Sequence, residues 1–234
     1  TQDAYLDTET NRYADILLPG ALWAEAEGVM INSERNLTLM QEAVMPPGDT
    51  LPDWEIIARV ACAMGYSEAF SYTSASEVFE EIKRCWNPQT GYDIRGASYE
   101  RLREQPLQWP IADSNAVTRN PIRYLNNNVS QCLKLAADGS QPALVFATES
   151  GKAQFFARPH LLPAELPDEA FPLVLNTGRL QHHWHTLTKT GKVPTLNKLH
   201  PGPFVEIHPS DATRLAINER DDVEIRSRHG VAVL

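Results

Sequence analysis

Residues 105–142 constrain this chain more than any other feature. They carry Pro106, Pro110, Pro121, Gly139 and Pro142 and show no hydrophobic period. A structureless connection of that length is unusual inside one compact domain, so a boundary is expected there. The textures on either side differ. Before it, Asp53 opens a helical pattern in which Trp54, Ile57, Ala58, Ala61 and Met64 share one face, and Gly65 offers a C-terminal cap. Shorter helices are expected over 21–28, 76–85 and 98–103, and the run 13–19 suits a buried strand. After it, apolar runs 143–146 and 153–156 flank Ser150-Gly151-Lys152 as a hairpin. Residues 171–175 and 204–207 read as strands, Pro209 starts a short helix, and 222–225 turns through Gly230 into a final strand. The expected class is α/β, with one domain over 1–115, a connector over 116–141 and a second domain over 142–234.

The 234 residues, 42% of them apolar and 22% charged, suffice for one large core or two ordinary ones. A net charge of −9 disfavours nucleic acid as a partner, since phosphates would be repelled. Cys62, Cys85 and Cys132 are far apart and form no Cys-x-x-Cys, so this segment alone cannot build a zinc site or an iron–sulfur cluster. Three such thiols suit a reducing, cytoplasmic location. No apolar run approaches the ~20 residues of a membrane span. The abrupt start at Thr1 and the beginning strand at 230–234 lead to the expectation of an internal piece of a longer protein.

The richest chemistry follows the 171–175 strand: Thr177-Gly178-Arg179, then Leu180-Gln181-His182-His183-Trp184-His185-Thr186. Glycine lets backbone N–H groups approach a ligand, while Thr and Arg add a hydroxyl and a forked guanidinium. The aromatic and imidazole groups beyond can stack or hydrogen-bond. This mixture suits a planar, phosphorylated ligand. On composition alone it also fits an ordinary polar loop, and three nearby histidines raise a metal site, which would need converging imidazoles and a second layer of partners.

The strand entering Thr-Gly-Arg and then Trp-His-Thr resembles the start of the dinucleotide-binding domain of the molybdopterin oxidoreductases. A second block is similar to the preceding domain of the same family: Thr8-Glu9-Thr10, Ala14-Asp15-Ile16-Leu17-Leu18-Pro19, Trp23 to Gly28, and Asn32-Ser33-Glu34-Arg35. Further matching runs are Pro52-Asp53-Trp54, Gln108-Trp109-Pro110, Thr148 to Ala153 and Glu206-Ile207-His208-Pro209-x-Asp211-Ala212. Within the family the chain looks most like assimilatory nitrate reductases, through Val29 to Asn36 and His183-Trp184-His185-Thr186.

The resemblance implies the end of a Rossmann-like molybdopterin-binding domain followed by the start of a double-psi β-barrel. It implies molybdenum-bis(molybdopterin guanine dinucleotide) as cofactor, with Thr177, Gly178, Arg179, Leu180, Gln181, His182, His183, Trp184, His185 and Thr186 as contacts and Asp3 on the guanine edge. It implies nitrate as substrate, a [4Fe–4S] cluster elsewhere in the intact enzyme, and a ferredoxin, flavodoxin or NADH-linked reductase as donor. No residue of this chain is assigned to catalysis or to metal, and the fragment alone is not expected to be active. Glu25, Glu27, Glu34 and Arg35 fit an ion-pair network under a loop. A formate dehydrogenase of the same superfamily is an alternative. So is a non-catalytic scaffold without cofactor, against which the retained Thr-Gly-Arg and Trp-His-Thr argue. Departures from the family are Gly28-Val29 where many relatives carry Gly-Thr, and Asn36 where many carry a second Arg.

Overall fold

The computed structural model describes residues 1–199 and 202–234. The chain forms two compact units, Thr1–Phe156 and Ala157–Leu234. The first opens with a short parallel pair, β1 (Gln2–Asp3) against β2 (Leu18–Pro19). The strand expected over 13–19 is cut to its last two residues, because a 3-10 turn occupies Thr10–Tyr13 and Ile16 and Leu17 stay exposed. The helix expected over 21–28 is likewise one 3-10 turn, Trp23–Glu25, closed where the Glu25 carboxylate accepts the Leu22 N–H at 2.9 Å.

An antiparallel hairpin follows, β3 (Gly28–Ile31) with β4 (Asn36–Met40). Its turn is the Asn-Ser-Glu-Arg block. Asn32 Oδ1 accepts from the N–H groups of Glu34 and Asn36, both at 3.0 Å, and Arg35 takes a left-handed φ of 71°. A polar side chain folded onto its own backbone is what makes Asn a turn former. Then come α1 (Asp53–Ala63), α2 (Ser67–Phe70), α3 (Ala75–Ile82) and α4 (Tyr99–Glu104), and β5 (Leu107–Gln108) pairs with the free edge of β4.

The helix ends are written in capping chemistry. Acidic Asp53 and Glu55 stand in the first turn of α1, where the helix dipole favours them. Its C-terminus closes at Gly65, with Tyr66 N–H on Ala61 O and Gly65 N–H on Cys62 O, both at 3.0 Å. Ser74 caps α3 and Ser98 caps α4, each accepting from the backbone N–H three residues on. Glu77 reaches back to the N–H and hydroxyl of Thr73, and these bonds hold its carboxyl below the usual range. The buried stripe of α1 is narrower than its periodicity implies. Ile56 and Ala58 are buried, whereas Ile57 and Met64 are exposed, since α2 folds back along one side only.

The core lies where α3 and α4 meet the sheet: Leu37, Phe79, Ile94, Ala97, Tyr99, Leu102, Leu107 and Ile111. Residues 116–141, expected as a bare connector, are held to this unit by polar side chains that collect backbone carbonyls. Asn120 Nδ2 donates to Gln108 O and Pro110 O, both at 2.8 Å. Asn126 Nδ2 donates to Lys134 O and Pro142 O, and Gln131 Nε2 to Tyr124 O and Val145 O. Arg35 donates to Trp109 O and Asn120 O, and Arg123 to Thr90 O and Ser130 O. The division between compact units therefore falls after Phe156 and not within the proline-rich stretch. The expected ion-pair network is also corrected. Glu25 caps a turn, Arg35 binds carbonyls, and of the four only Glu27 forms an ion pair among the described residues, with Arg103 at 3.9 Å.

The second unit contains α5 (Pro194–Asn197), α6 (Pro209–Leu215) and a hairpin of β6 (Glu224–Arg226) with β7 (Val231–Val233). The helix at Pro209 and the closing hairpin follow the sequence expectation. The runs 143–146, 153–156, 171–175 and 204–207 form no strands among the described residues. Strand character needs a hydrogen-bonded neighbour: 143–146 makes a single isolated bridge, Leu144 with Leu125, and Leu173, Val174 and Leu175 are 52%, 76% and 64% exposed with no ladder among the described residues. Neither a Rossmann-like sheet nor a six-stranded barrel is closed by the described residues. What ties this unit together is polar. Asp168 accepts from the N–H groups of Ala170 and Phe171 and from Arg228, and Glu165 pairs with His229 Nε2 at 2.7 Å.

Three outcomes follow. A Cβ at Gly96 would lie 2.0 Å from Asp113 O, so Gly96→Ala should cost at least the roughly 1–3 kcal/mol of overpacking in urea unfolding of the full-length protein. Asn120→Ala strands the buried Pro110 carbonyl and the part-buried Gln108 carbonyl and should cost roughly 1–3 kcal/mol by the same measurement. The backbone N–H of Phe171, with Arg228, holds the Asp168 carboxyl below its usual value. That contribution is present above the ordinary carboxylate range and is lost as pH falls through the depressed folded value. Proteolysis of the 157–234 unit should therefore speed up on acidification, and Asp168→Asn should flatten that dependence.

Candidate functional site

Asp3 lies in the first unit, on β1, where its backbone carbonyl accepts Gly20 N–H at 3.0 Å. Its side chain is half-buried. Oδ1 accepts the Tyr5 N–H at 3.0 Å, and Oδ2 has no hydrogen-bond partner among the described residues. A carboxylate fixed on one oxygen and open on the other can accept from an external donor.

The other expected contacts all fall in the second unit. Thr177, Gly178 and Arg179 are exposed. A Cβ at Gly178 would meet nothing within 4 Å, and its φ lies outside the left-handed region, so neither packing nor backbone conformation demands glycine there. What glycine adds is bare backbone that a ligand can reach. The Arg179 guanidinium makes one hydrogen bond, to the neighbouring Gly178 carbonyl at 3.2 Å, and no ion pair among the described residues. Its remaining donors face solvent.

From Leu180 the chain winds into a tight clasp. His183 N–H donates to Leu180 O at 3.3 Å, Leu187 N–H to Trp184 O at 3.0 Å and Gly191 N–H to Leu187 O at 2.8 Å. Leu180 is partly buried, and Gln181 and His182 are exposed. Trp184 is 67% exposed and meets the His185 ring edge-on, with centroids 4.4 Å apart. His185 and Leu187 adopt φ of 46° and 67°, and Thr186 is exposed with its hydroxyl 3.3 Å from that of Thr188. His183 alone turns inward: Nδ1 lies 3.1 Å from Thr190 Oγ1, while Nε2 is buried with no hydrogen-bond partner among the described residues.

Two residues at the heart of the clasp have no signature in the pattern. Thr190 also accepts the Trp184 N–H at 3.1 Å, and Asn197 Nδ2 holds Gly191 O at 2.7 Å. Their one sequence cue is proximity to the Trp-His-Thr run.

The electrostatics are local. In a chain of net charge −9, residues 170–205 contain no Asp or Glu but carry Arg179, Lys189, Lys192 and Lys198. Such a stretch concentrates positive potential and draws anions. Spare guanidinium donors, open backbone at Gly178, an orphaned imidazole nitrogen and an exposed indole fit a phosphorylated heteroaromatic ligand. Among the described residues, no group of three or more His, Cys, Asp or Glu side chains gathers that could hold a metal ion. A cleft of the first unit, about 550 Å³ between α1 and 70–73, is lined by Trp54, Arg59, Cys62, Phe70 and Tyr72 and holds none of the expected contacts. No helix among the described residues is long and apolar enough to cross a membrane.

Comparison with known proteins places these features. Residues 1–63 match the family described as molybdopterin oxidoreductase, and residues 173–234 match the molydopterin dinucleotide binding domain. A nitrate reductase of Symbiobacterium thermophilum is 39% identical over 96% of this chain and 29% of its own length. The F420-dependent formate dehydrogenase subunit alpha of Methanocaldococcus jannaschii is 36% identical over 98% of this chain and 30% of its own. Acetylene hydratase from Pelobacter acetylenicus shares the fold, with a TM-score of 0.54 at 19% identity, over 93% of this chain and 28% of that one. The chain thus spans about 30% of the length of the curated relatives it matches. With one matched block at each end and similarity running through nearly every residue between them, the chain belongs to the molybdopterin oxidoreductase family.

Proposed function

We propose that this chain is part of a nitrate reductase and grips one arm of a molybdopterin guanine dinucleotide. The observation that carries this reading is the acid-free 170–205 stretch, in which Thr177 and Gly178 are exposed and Arg179 spends one donor on the Gly178 carbonyl, beside the His183–Thr186 clasp with its unpartnered His183 Nε2. Thr177 and Arg179 bind phosphate oxygens, the backbone at Gly178 admits them closely, and Trp184 covers an aromatic face of the ligand. Leu180, Gln181, His182, His183, His185 and Thr186 complete the contact surface. Asp3 accepts from the guanine edge, where one carboxylate can take both N–H donors.

When bound, the molybdenum–pterin group supplies the two-electron oxygen-atom transfer that takes nitrate to nitrite; the protein's part is binding and orientation. By family likeness we assign residues 1–115 to the closing part of a Rossmann-like domain, 116–141 to the connection in sequence, and 142–234 to the opening part of a double-psi barrel, with the connection and residues 142–156 packed into the first compact unit. The intact enzyme carries a [4Fe–4S] cluster on cysteines other than Cys62, Cys85 and Cys132, works in nitrate assimilation in the cytoplasm, and takes electrons from ferredoxin, flavodoxin or an NADH-linked reductase. Three free thiols support the reducing compartment.

A second reading, formate oxidation, is favoured by formate dehydrogenase relatives at 35–36% identity over nearly the whole chain. Turnover of nitrate against formate by the purified full-length protein separates the two.

The dinucleotide assignment has its own test. In the full-length protein Arg179→Ala removes a charge-assisted contact worth roughly 1.5–3 kcal/mol, so cofactor retention should weaken about 10- to 100-fold. GMP released per chain by acid hydrolysis after extended dialysis reads this directly. Wild-type GMP content together with wild-type activity would overturn the assignment of the loop.

A further inference from the structure

Thr190 stands at the centre of the 180–192 clasp, and the hydrogen-bond inventory around its hydroxyl decides the state of His183. A hydroxyl has one hydrogen and two lone pairs. The Trp184 N–H, 3.1 Å away, takes one lone pair. If His183 donated from Nδ1 as well, the hydroxyl hydrogen would have no acceptor among the described residues. If the hydroxyl donates to Nδ1, also 3.1 Å away, all three groups are satisfied. The neutral imidazole then carries its hydrogen on Nε2, because a ring nitrogen that accepts leaves the other to donate.

That Nε2 is the atom left buried and unpartnered among the described residues. A buried donor without an acceptor costs roughly 1–3 kcal/mol. Two and four residues on, His185 and Leu187 hold φ of 46° and 67°, each a left-handed conformation costing on the order of 1–3 kcal/mol for a residue other than glycine. Three local penalties within five residues mark a conformation that rearrangement onto a ligand would relieve. The acceptor that suits a neutral N–H in an acid-free, lysine- and arginine-bearing stretch is an anionic oxygen.

We propose that Thr190 is a positioning residue that presets His183 as an Nε2–H donor, and that this N–H bonds a phosphate oxygen of the dinucleotide when the clasp opens around it. The inference rests on the reading of this loop as the dinucleotide site and adds a residue and a tautomer to it.

The test uses the full-length protein with histidine-selective nitrogen labelling. Nitrogen NMR of the cofactor-free form, with the His183 signals assigned through His183→Gln, reports which ring nitrogen carries hydrogen. GMP per chain after dialysis reports dinucleotide retention. The wild type should show the Nε2–H tautomer. Thr190→Val should lose that preference and retain several-fold less GMP, and Thr190→Ser, which keeps the hydroxyl, should restore both. A wild-type His183 protonated at Nδ1 overturns the proposal whether or not any variant folds. A Thr190→Val protein that changes tautomer yet keeps its GMP overturns it too, as does one that loses GMP with its tautomer unchanged. Arg179→Ala separates the two levels. If it lowers GMP while Thr190→Val does not, only the Thr190–His183 step fails; if neither lowers it, the reading of the loop fails.

Discussion

The first unit depends on side-chain amides and guanidiniums that capture backbone carbonyls. A long segment without secondary structure cannot be packed against a core unless its peptide groups find partners, because each buried unpaired group is costly. Asn120, Asn126, Gln131, Arg35 and Arg123 supply those partners. Arg35 and Arg123 also lie over the Trp109 ring, at 5.6 and 4.8 Å, so one indole face system and a set of carbonyls stand where carboxylates usually do. Burial lowers both guanidinium pKa values, and their mutual repulsion lowers that of Arg123 further, though each keeps its charge.

The second unit is organised differently. None of its described side chains is fully buried, and its apolar runs are exposed, so hydrophobic burial contributes little to holding it. Its cohesion is a set of polar links, Asp168 to Arg228, Glu165 to His229, and Thr190 within the clasp. The same feature makes it suited to gripping a ligand. Donors such as Arg179 are not consumed by internal acceptors, and the surrounding stretch carries no carboxylate to compete with a phosphate.

Family membership and chemistry meet at this loop. In a chain of net charge −9, a stretch without carboxylates, residues 170–205, lies largely within the block that matches the dinucleotide-binding domain. Similarity to nitrate reductases and to formate dehydrogenases is of the same order.

Much of the local structure was legible in the residues themselves. Helix α1 announces itself through Asp53 in its first turn and Gly65 just past its end, and α3 and α4 lie within a few residues of the expected 76–85 and 98–103, because apolar spacing and end signals act within a turn or two. The donor-rich run 177–186 was readable for the same reason: its chemistry is contiguous. Tertiary structure decided everything that needs a distant partner. It turned 116–141 from a connector into a packed part of the first unit, left 171–175 without a strand partner among the described residues, and placed the Thr190 hydroxyl on His183. Hydrogen bonds to carbonyls and strand pairing depend on the path of the backbone through space, and that path leaves no period in the sequence.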